Sequence, residues 1–143
     1  MADASRITLE AAQRLLDASP FGRWWGYRME AVAPGSARIL LPFQPHFERP
    51  GGLLQGGCAM NLADVAFWIA GMTVTGEEPM ALTLQMTSTF LRPAGRGDLR
   101  CDARVIRSGR KVIYGEASCL DAKGQVVTHH VLTYLRPDAD PNG

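Results

Sequence analysis

Little in this sequence points toward disulfide, metal or nucleic-acid chemistry. The three cysteines, Cys58, Cys101 and Cys119, are odd in number and form no C-x-x-C pair, so neither a disulfide framework nor a zinc knuckle is supported, and a reducing, cytoplasmic setting is expected. Histidine is scarce too. His129 and His130 are neighbours in a candidate strand and point to opposite faces, which rules out joint metal ligation, and His46 stands alone. There is no H-E-x-x-H, so no metal is expected. Net charge is only +1, which provides no global field to draw in nucleic acid; an anionic ligand has to be held locally. Nor is there a clean membrane span: the longest apolar stretch, residues 58–74, is broken by Asn61 and Asp64, and residues 1–9 contain no apolar leader core. With 143 residues, 46% hydrophobic and 20% charged, the chain is expected to form a single domain over 1–143, with one site, its core over about 21–135 and a loose tail over 137–143.

What is present is a change of hydrophobic period along the chain. Thr8 can cap a helix with Glu10 in its first turn and Leu9, Ala12 and Leu16 on one face, ended by Ser19 and Pro20. After an aromatic segment containing Phe21, Trp24, Trp25 and Tyr27, two strands are predicted over 27–33 and 36–43, with Pro34-Gly35 as their turn. The run Pro50-Gly51-Gly52-Leu53-Leu54-Gln55-Gly56-Gly57 then enters residues 58–72, which are apolar on nearly every side and free of proline. That is the composition of a buried helix. From Met80 the period becomes two: Leu82, Leu84, Met86, Ser88 and Phe90 alternate with Thr83, Gln85, Thr87 and Thr89, so one face of this strand is expected to be buried. Strands over 99–105, 112–120 and 126–135 follow, and the four together read as an antiparallel meander. The resulting α+β class is an antiparallel sheet of five to six strands wrapped around one long central helix, with a short N-terminal helix.

The central helix carries the most informative residue. Asp64 lies about two turns inside it, beside Met60, Phe67 and Trp68, with no Lys or Arg three or four residues away. A carboxylate without a local counter-charge in apolar surroundings is costly, and its pKa tends upward toward the range useful for proton transfer. Asn61, one turn earlier, can orient it. The plainer reading is an acid facing solvent or a subunit boundary with no chemistry. Upstream, Gly56 and Gly57 stand where loop becomes helix, so their N–H groups lie at the positive end of the helix dipole and can receive a developing oxyanion; a tight turn alone also explains a glycine pair. No Lys-Ser/Thr follows Gly57, which argues against a nucleotide loop.

The segment Leu54-Gln55-Gly56-Gly57 with Leu62-Ala63-Asp64-Val65-Ala66, followed by Thr89-Phe90-Leu91-Arg92-Pro93-Ala94 and Ser108-Gly109-Arg110, resembles the hotdog-fold acyl-CoA thioesterases of the PaaI-like, 4-hydroxybenzoyl-CoA thioesterase type. The likeness covers roughly residues 21–135. It implies a hotdog fold, an acyl-CoA substrate, no cofactor because coenzyme A is part of the substrate, and a homodimer with the active site at the subunit interface; stacking of two such dimers into a homotetramer is open on the separate ground of strand geometry. It implies further that the Gly57 N–H binds the thioester carbonyl, that Asp64 of the partner subunit attacks directly or activates water, and that Thr83 positions that water or carboxylate. Two positions depart from the family pattern. Gln55 stands where the family usually has His; it can donate a hydrogen bond but cannot carry a proton. Arg49 stands where the family often has Asn, and can pair with an acidic substrate group or with Asp64 of the partner subunit.

Arg107, Arg110 and Lys111 flank a two-residue turn and suit the phosphates of coenzyme A, as the resemblance implies; a solvated basic turn is the competing reading. Phe21, Trp24 and Trp25 are candidates for an acyl tunnel or for simple packing. Cys58 follows the glycine pair at a helix N-terminus, but nothing in the sequence supplies it with a base. Strand 83–91 has no interior proline, so pairing with a second copy would extend the sheet. Two other activities compete: a catalytically silent hotdog protein that binds acyl-CoA as a sensor or carrier, motivated by Gln55 and Arg49, and a hydratase or dehydratase, which generally needs an Asp–His pair near the helix start and finds no His between Phe47 and Thr128.

Overall fold

The computed structural model describes residues 4–137; most of the expected tail lies outside the described residues. Thr8 caps helix α1 (Leu9–Ala18) by accepting the Ala11 N–H, and Ala12 and Leu16 are its buried face. The aromatic segment is itself helical. Pro20 starts α2 (Pro20–Trp25), where a fixed φ and a missing N–H cost nothing, and Gly26 ends it in the left-handed conformation, φ 81°. The chain then makes β1 (Arg28–Ala33), β2 (Ser36–Leu41), a short ribbon of β3 (Glu48–Arg49) and β4 (Leu53–Leu54), helix α3 (Gly56–Thr75), and four long strands, β5 (Leu82–Phe90), β6 (Leu99–Ser108), β7 (Val112–Leu120) and β8 (Val126–Leu135). The ribbon was not expected from the sequence. It pairs Glu48 with Leu54 and Arg49 with Leu53, so the glycine-rich loop is folded back on itself just before α3.

The six-stranded sheet has the order β1-β2-β6-β7-β8-β5, every pairing antiparallel. Only β6, β7 and β8 form the expected meander. β5 lies beyond β8 at the edge, and the chain crosses back past β8 and β7 before β6 pairs with β2. Inward side chains of the central strands, among them Ile39, Leu41, Leu99, Cys101, Ala117, Cys119 and Leu132, are buried against α3, whose Leu62, Phe67, Ile69 and Met72 are almost fully enclosed. This enclosure explains why the helix is apolar all round. By length and composition α3 could also cross a membrane, but its apolar faces are here the core of the domain. The outer face of the sheet carries exposed ion pairs instead: Arg38 with Asp102 at 2.5 Å, Arg104 with Glu116 at 2.8 Å, and Arg100 with Glu30.

β5 departs from its pattern. Leu82, Leu84 and Phe90 were expected on a buried face, but in a single chain they are 60%, 55% and 54% exposed, and only Met86 and Ser88 are half-buried. An edge strand has one neighbour, and this one overhangs the helix. A long, apolar, unpaired edge is uncommon in a monomer.

Candidate active site

Asp64 is half-buried and is held by two hydroxyl groups from the sheet. Thr83 Oγ1 donates to Asp64 Oδ1 at 2.8 Å, and the Tyr134 hydroxyl reaches the same Oδ1 at 2.5 Å and the Asp64 main-chain oxygen at 2.8 Å. The register explains the convergence. Thr83 and Tyr134 are directly opposite partners on β5 and β8, and the register shift between Thr83 and Gln85 leaves Leu84 as the extra residue of a bulge, a device that re-aims the adjoining side chain. Burial and, next, the Asp64 charge push the Tyr134 hydroxyl far above its ordinary pKa, so it remains a donor at physiological pH. Among the described residues Oδ2 has no hydrogen-bond partner, and Asp64 lines a cavity of about 300 Å³ with Phe21, Asn61, Trp68 and Tyr134. Among the described residues Asn61 makes no hydrogen bond to the carboxylate. Its Oδ1 is buried without a partner, as is the hydroxyl of Tyr27, whose pKa is also driven up by burial and then by Asp64.

The other half of the expected chemistry lies at the start of α3. Gln55 is the N-cap, and its side-chain Oε1 accepts the Gly57 N–H at 2.8 Å. The proposed oxyanion donor is therefore engaged in the resting chain. Gly56 touches the Phe90 ring closely: a Cβ added there would lie 3.2 Å from Phe90 Cε1. Arg49, Gln55, Gly56, Phe90 and Arg92 share the wall of a second cavity, about 560 Å³ in volume, which does not include Asp64. Gly57 and Asp64 are seven residues apart on one helix, roughly 10 Å at 1.5 Å per residue. That gap is too wide for one chain's carboxylate to reach a carbonyl held by its own Gly57.

The remaining candidates fall elsewhere. Arg107, Arg110 and Lys111 are exposed and line neither cavity. Their turn sits beside Arg136, which donates to Gly109 O and pairs with Glu78, just beyond the C-terminal end of α3. Phe21 joins the Asp64 cavity, whereas Trp25 stacks on Phe47 and Tyr27 and Trp24 packs on His46. Cys58 is fully buried and burial pushes its thiol up to about 11, which outweighs its place near a helix N-terminus. Among the described residues no group of three or more His, Cys, Asp or Glu is placed to hold a metal ion. Tyr134 was missed by sequence reasoning. Its alternation with buried Leu132 and His130 marked it as inward-facing, but nothing local connects it to a helix residue 70 positions away.

The chain is similar to known proteins in sequence and fold. The 1,4-dihydroxy-2-naphthoyl-CoA hydrolase of Escherichia coli is 25% identical over 128 residues, 90% of this chain and 93% of that enzyme. A conserved protein of Pseudomonas aeruginosa, 26% identical, superposes with a TM-score of 0.79 over 87% of this chain and 98% of its own. A Haemophilus influenzae thioesterase, 21% identical, shares the fold with a TM-score of 0.86 over the whole of both chains. A sheet wrapped around one buried helix, with these relatives, defines a hotdog-fold hydrolase. More particularly, the pattern of the thioesterase superfamily matches residues 51–128, and the chain belongs to that superfamily.

Proposed function

We propose that this protein hydrolyses an acyl-CoA thioester at a site completed by two copies of the chain, with Asp64 as nucleophile or general base. The observation that carries the reading is the carboxylate fixed at Oδ1 by Thr83 and Tyr134, with Oδ2 left to react. The naphthoyl-CoA substrate in the name of the Escherichia coli relative supports coenzyme A thioesters as the substrate class. Antiparallel self-pairing of β5 about its midpoint, Met86, supplies the missing proximity. It sets Thr83 of one copy opposite Thr89 of the other, next to Phe90 and hence to Gly56. Asp64 of one copy then faces the helix start of the other, and the two cavities become one.

In this site Oδ2 either attacks the thioester carbonyl carbon, expelling the coenzyme A thiolate and leaving an acyl–Asp64 anhydride for water to open, or takes a proton from the water that attacks. Either route consumes one water and yields a carboxylic acid and a thiol. The Gly57 N–H receives the carbonyl oxygen once Gln55 swings its Oε1 aside, and the Gln55 amide N–H₂ is a second donor. We place the coenzyme A phosphates on Arg107, Arg110 and Lys111. The occupied Gly57 N–H favours one other reading, a protein that binds acyl-CoA without turning it over. Thiol release from aromatic and aliphatic acyl-CoA esters separates the two. Wild-type turnover that falls by at least about 10²-fold in Asp64→Asn, in a protein that remains dimeric by light scattering, is the expected result. Full turnover in Asp64→Asn, or a monomer that hydrolyses at the wild-type rate, would reject the mechanism.

A further inference from the structure

We infer that the acyl group this site selects carries a second, terminal carboxylate, read by Arg49 and Arg92 in the 560 Å³ cavity. The inference rests on the thioesterase reading and goes beyond it. The two arginines arrive from different elements, Arg49 from β3 and Arg92 from the segment just after β5, and both line the cavity that holds Gln55 and Gly56. No acidic residue lines it. Neither guanidinium has a carboxylate within ion-pair distance among the described residues, and the nearest acid in sequence, Glu48, is taken by Arg96. The rest of the wall is mostly apolar, with Leu53, Leu54, Leu91, Leu99 and Val127 offering a bed for methylene groups. A largely apolar cavity whose wall also carries two exposed guanidinium groups without carboxylate partners fits a chain that bears a carboxylate. When Asp64 of a second copy closes the cavity, it sets one negative charge against two positive ones, so a positive charge remains for the ligand.

Distance separates this anion from the coenzyme A phosphates. The diphosphate lies roughly 15 Å from the sulfur along an extended amide chain, whereas a cavity of about 560 Å³ is only about 10 Å across if spherical. An anion bound inside this cavity, beside Gln55 and Gly56 at the start of α3, lies nearer the proposed thioester position than the diphosphate can and therefore belongs to the acyl side.

The test compares adipyl-CoA with hexanoyl-CoA, six-carbon esters that differ in the terminal carboxylate, and repeats the pair as N-acetylcysteamine thioesters, which carry no phosphate. The expected result is a kcat/KM at least about 10-fold higher for the adipyl ester in both series, with the adipyl-to-hexanoyl ratio falling about 10-fold in Arg49→Gln and in Arg92→Gln. Hexanoyl-CoA turnover with no adipyl preference overturns the inference and leaves the thioesterase reading intact. Ratios that change only in the coenzyme A series also overturn it, because the arginines would then be holding phosphate. If no ester is hydrolysed, calorimetry with the matching non-hydrolysable thioethers decides: tighter binding of the carboxylate-bearing thioether, lost in Arg49→Gln, sustains the inference, and equal binding rejects it.

Discussion

Tyr134→Phe isolates a single hydroxyl at the centre of the proposed chemistry. The ring stays: it packs edge-on against Phe67 at a centroid distance of 5.3 Å, and phenylalanine preserves that contact. What is lost is the 2.5 Å hydrogen bond to Asp64 Oδ1, one of the two that hold the carboxylate, together with the 2.8 Å contact to the Asp64 main-chain oxygen. A hydrogen bond to a charged group contributes about 1.5–3 kcal/mol, so if that energy serves orientation in the transition state, kcat falls about 10- to 150-fold. KM changes little, because Tyr134 is not expected to touch the coenzyme A portion. Steady-state thiol release reads kcat and KM, and a double-mutant cycle with Asp64→Asn asks whether the hydroxyl acts through the acid. In the Asp64→Asn background Tyr134→Phe should cost almost nothing further. A kcat within twofold of wild type, or a full additional loss in the double mutant, would refute the positioning role.

Three other outcomes follow from the same structure. Arg110→Ala should raise KM for acyl-CoA esters more than for acyl-cysteamines, and equal effects would remove the basic turn from phosphate binding. At Gly115 a Cβ would lie 2.2 Å from the Arg104 main-chain oxygen and 2.4 Å from Phe67. Overpacking of that kind costs about 1–3 kcal/mol, so Gly115→Ala should lower the Tm by about 3–10 °C, while Gly95→Ala, with nothing within 4 Å, serves as the neutral control. Cys58 should stay unreactive toward iodoacetamide at pH 8 and gain a thiolate only as the pH rises through about 11, the value to which burial pushes it. Rapid labelling of Cys58 in the folded protein at pH 8, followed by peptide mapping, would show that its burial is misjudged.

The fold was legible because its signals are local. The two-residue alternation through β6, β7 and β8, the proline-free apolar run of α3 and the Thr8 cap each report on a neighbourhood of a few residues, and each element formed within a few positions of its expected bounds. Errors came where partners are remote. β5 reads as a half-buried strand next to β6, yet its neighbour is β8 and much of its apolar face is open, because alternation reports which face a side chain takes and not which strand lies alongside. The aromatic run Phe21 to Trp25 became a helix between Pro20, which was read only as the end of α1, and Gly26, which was not read at all.

Sequence alone determined that a lone acid would lie two turns inside an apolar helix preceded by a glycine pair, since helical periodicity and composition fix which residues share that element. Tertiary structure decided what the acid meets. Thr83 and Tyr134 reach the same carboxylate oxygen only because β5 pairs with β8 in one register. Such contacts join residues up to 70 positions apart, and the free energy that selects them is the burial of the whole core, a sum that no short window of sequence contains.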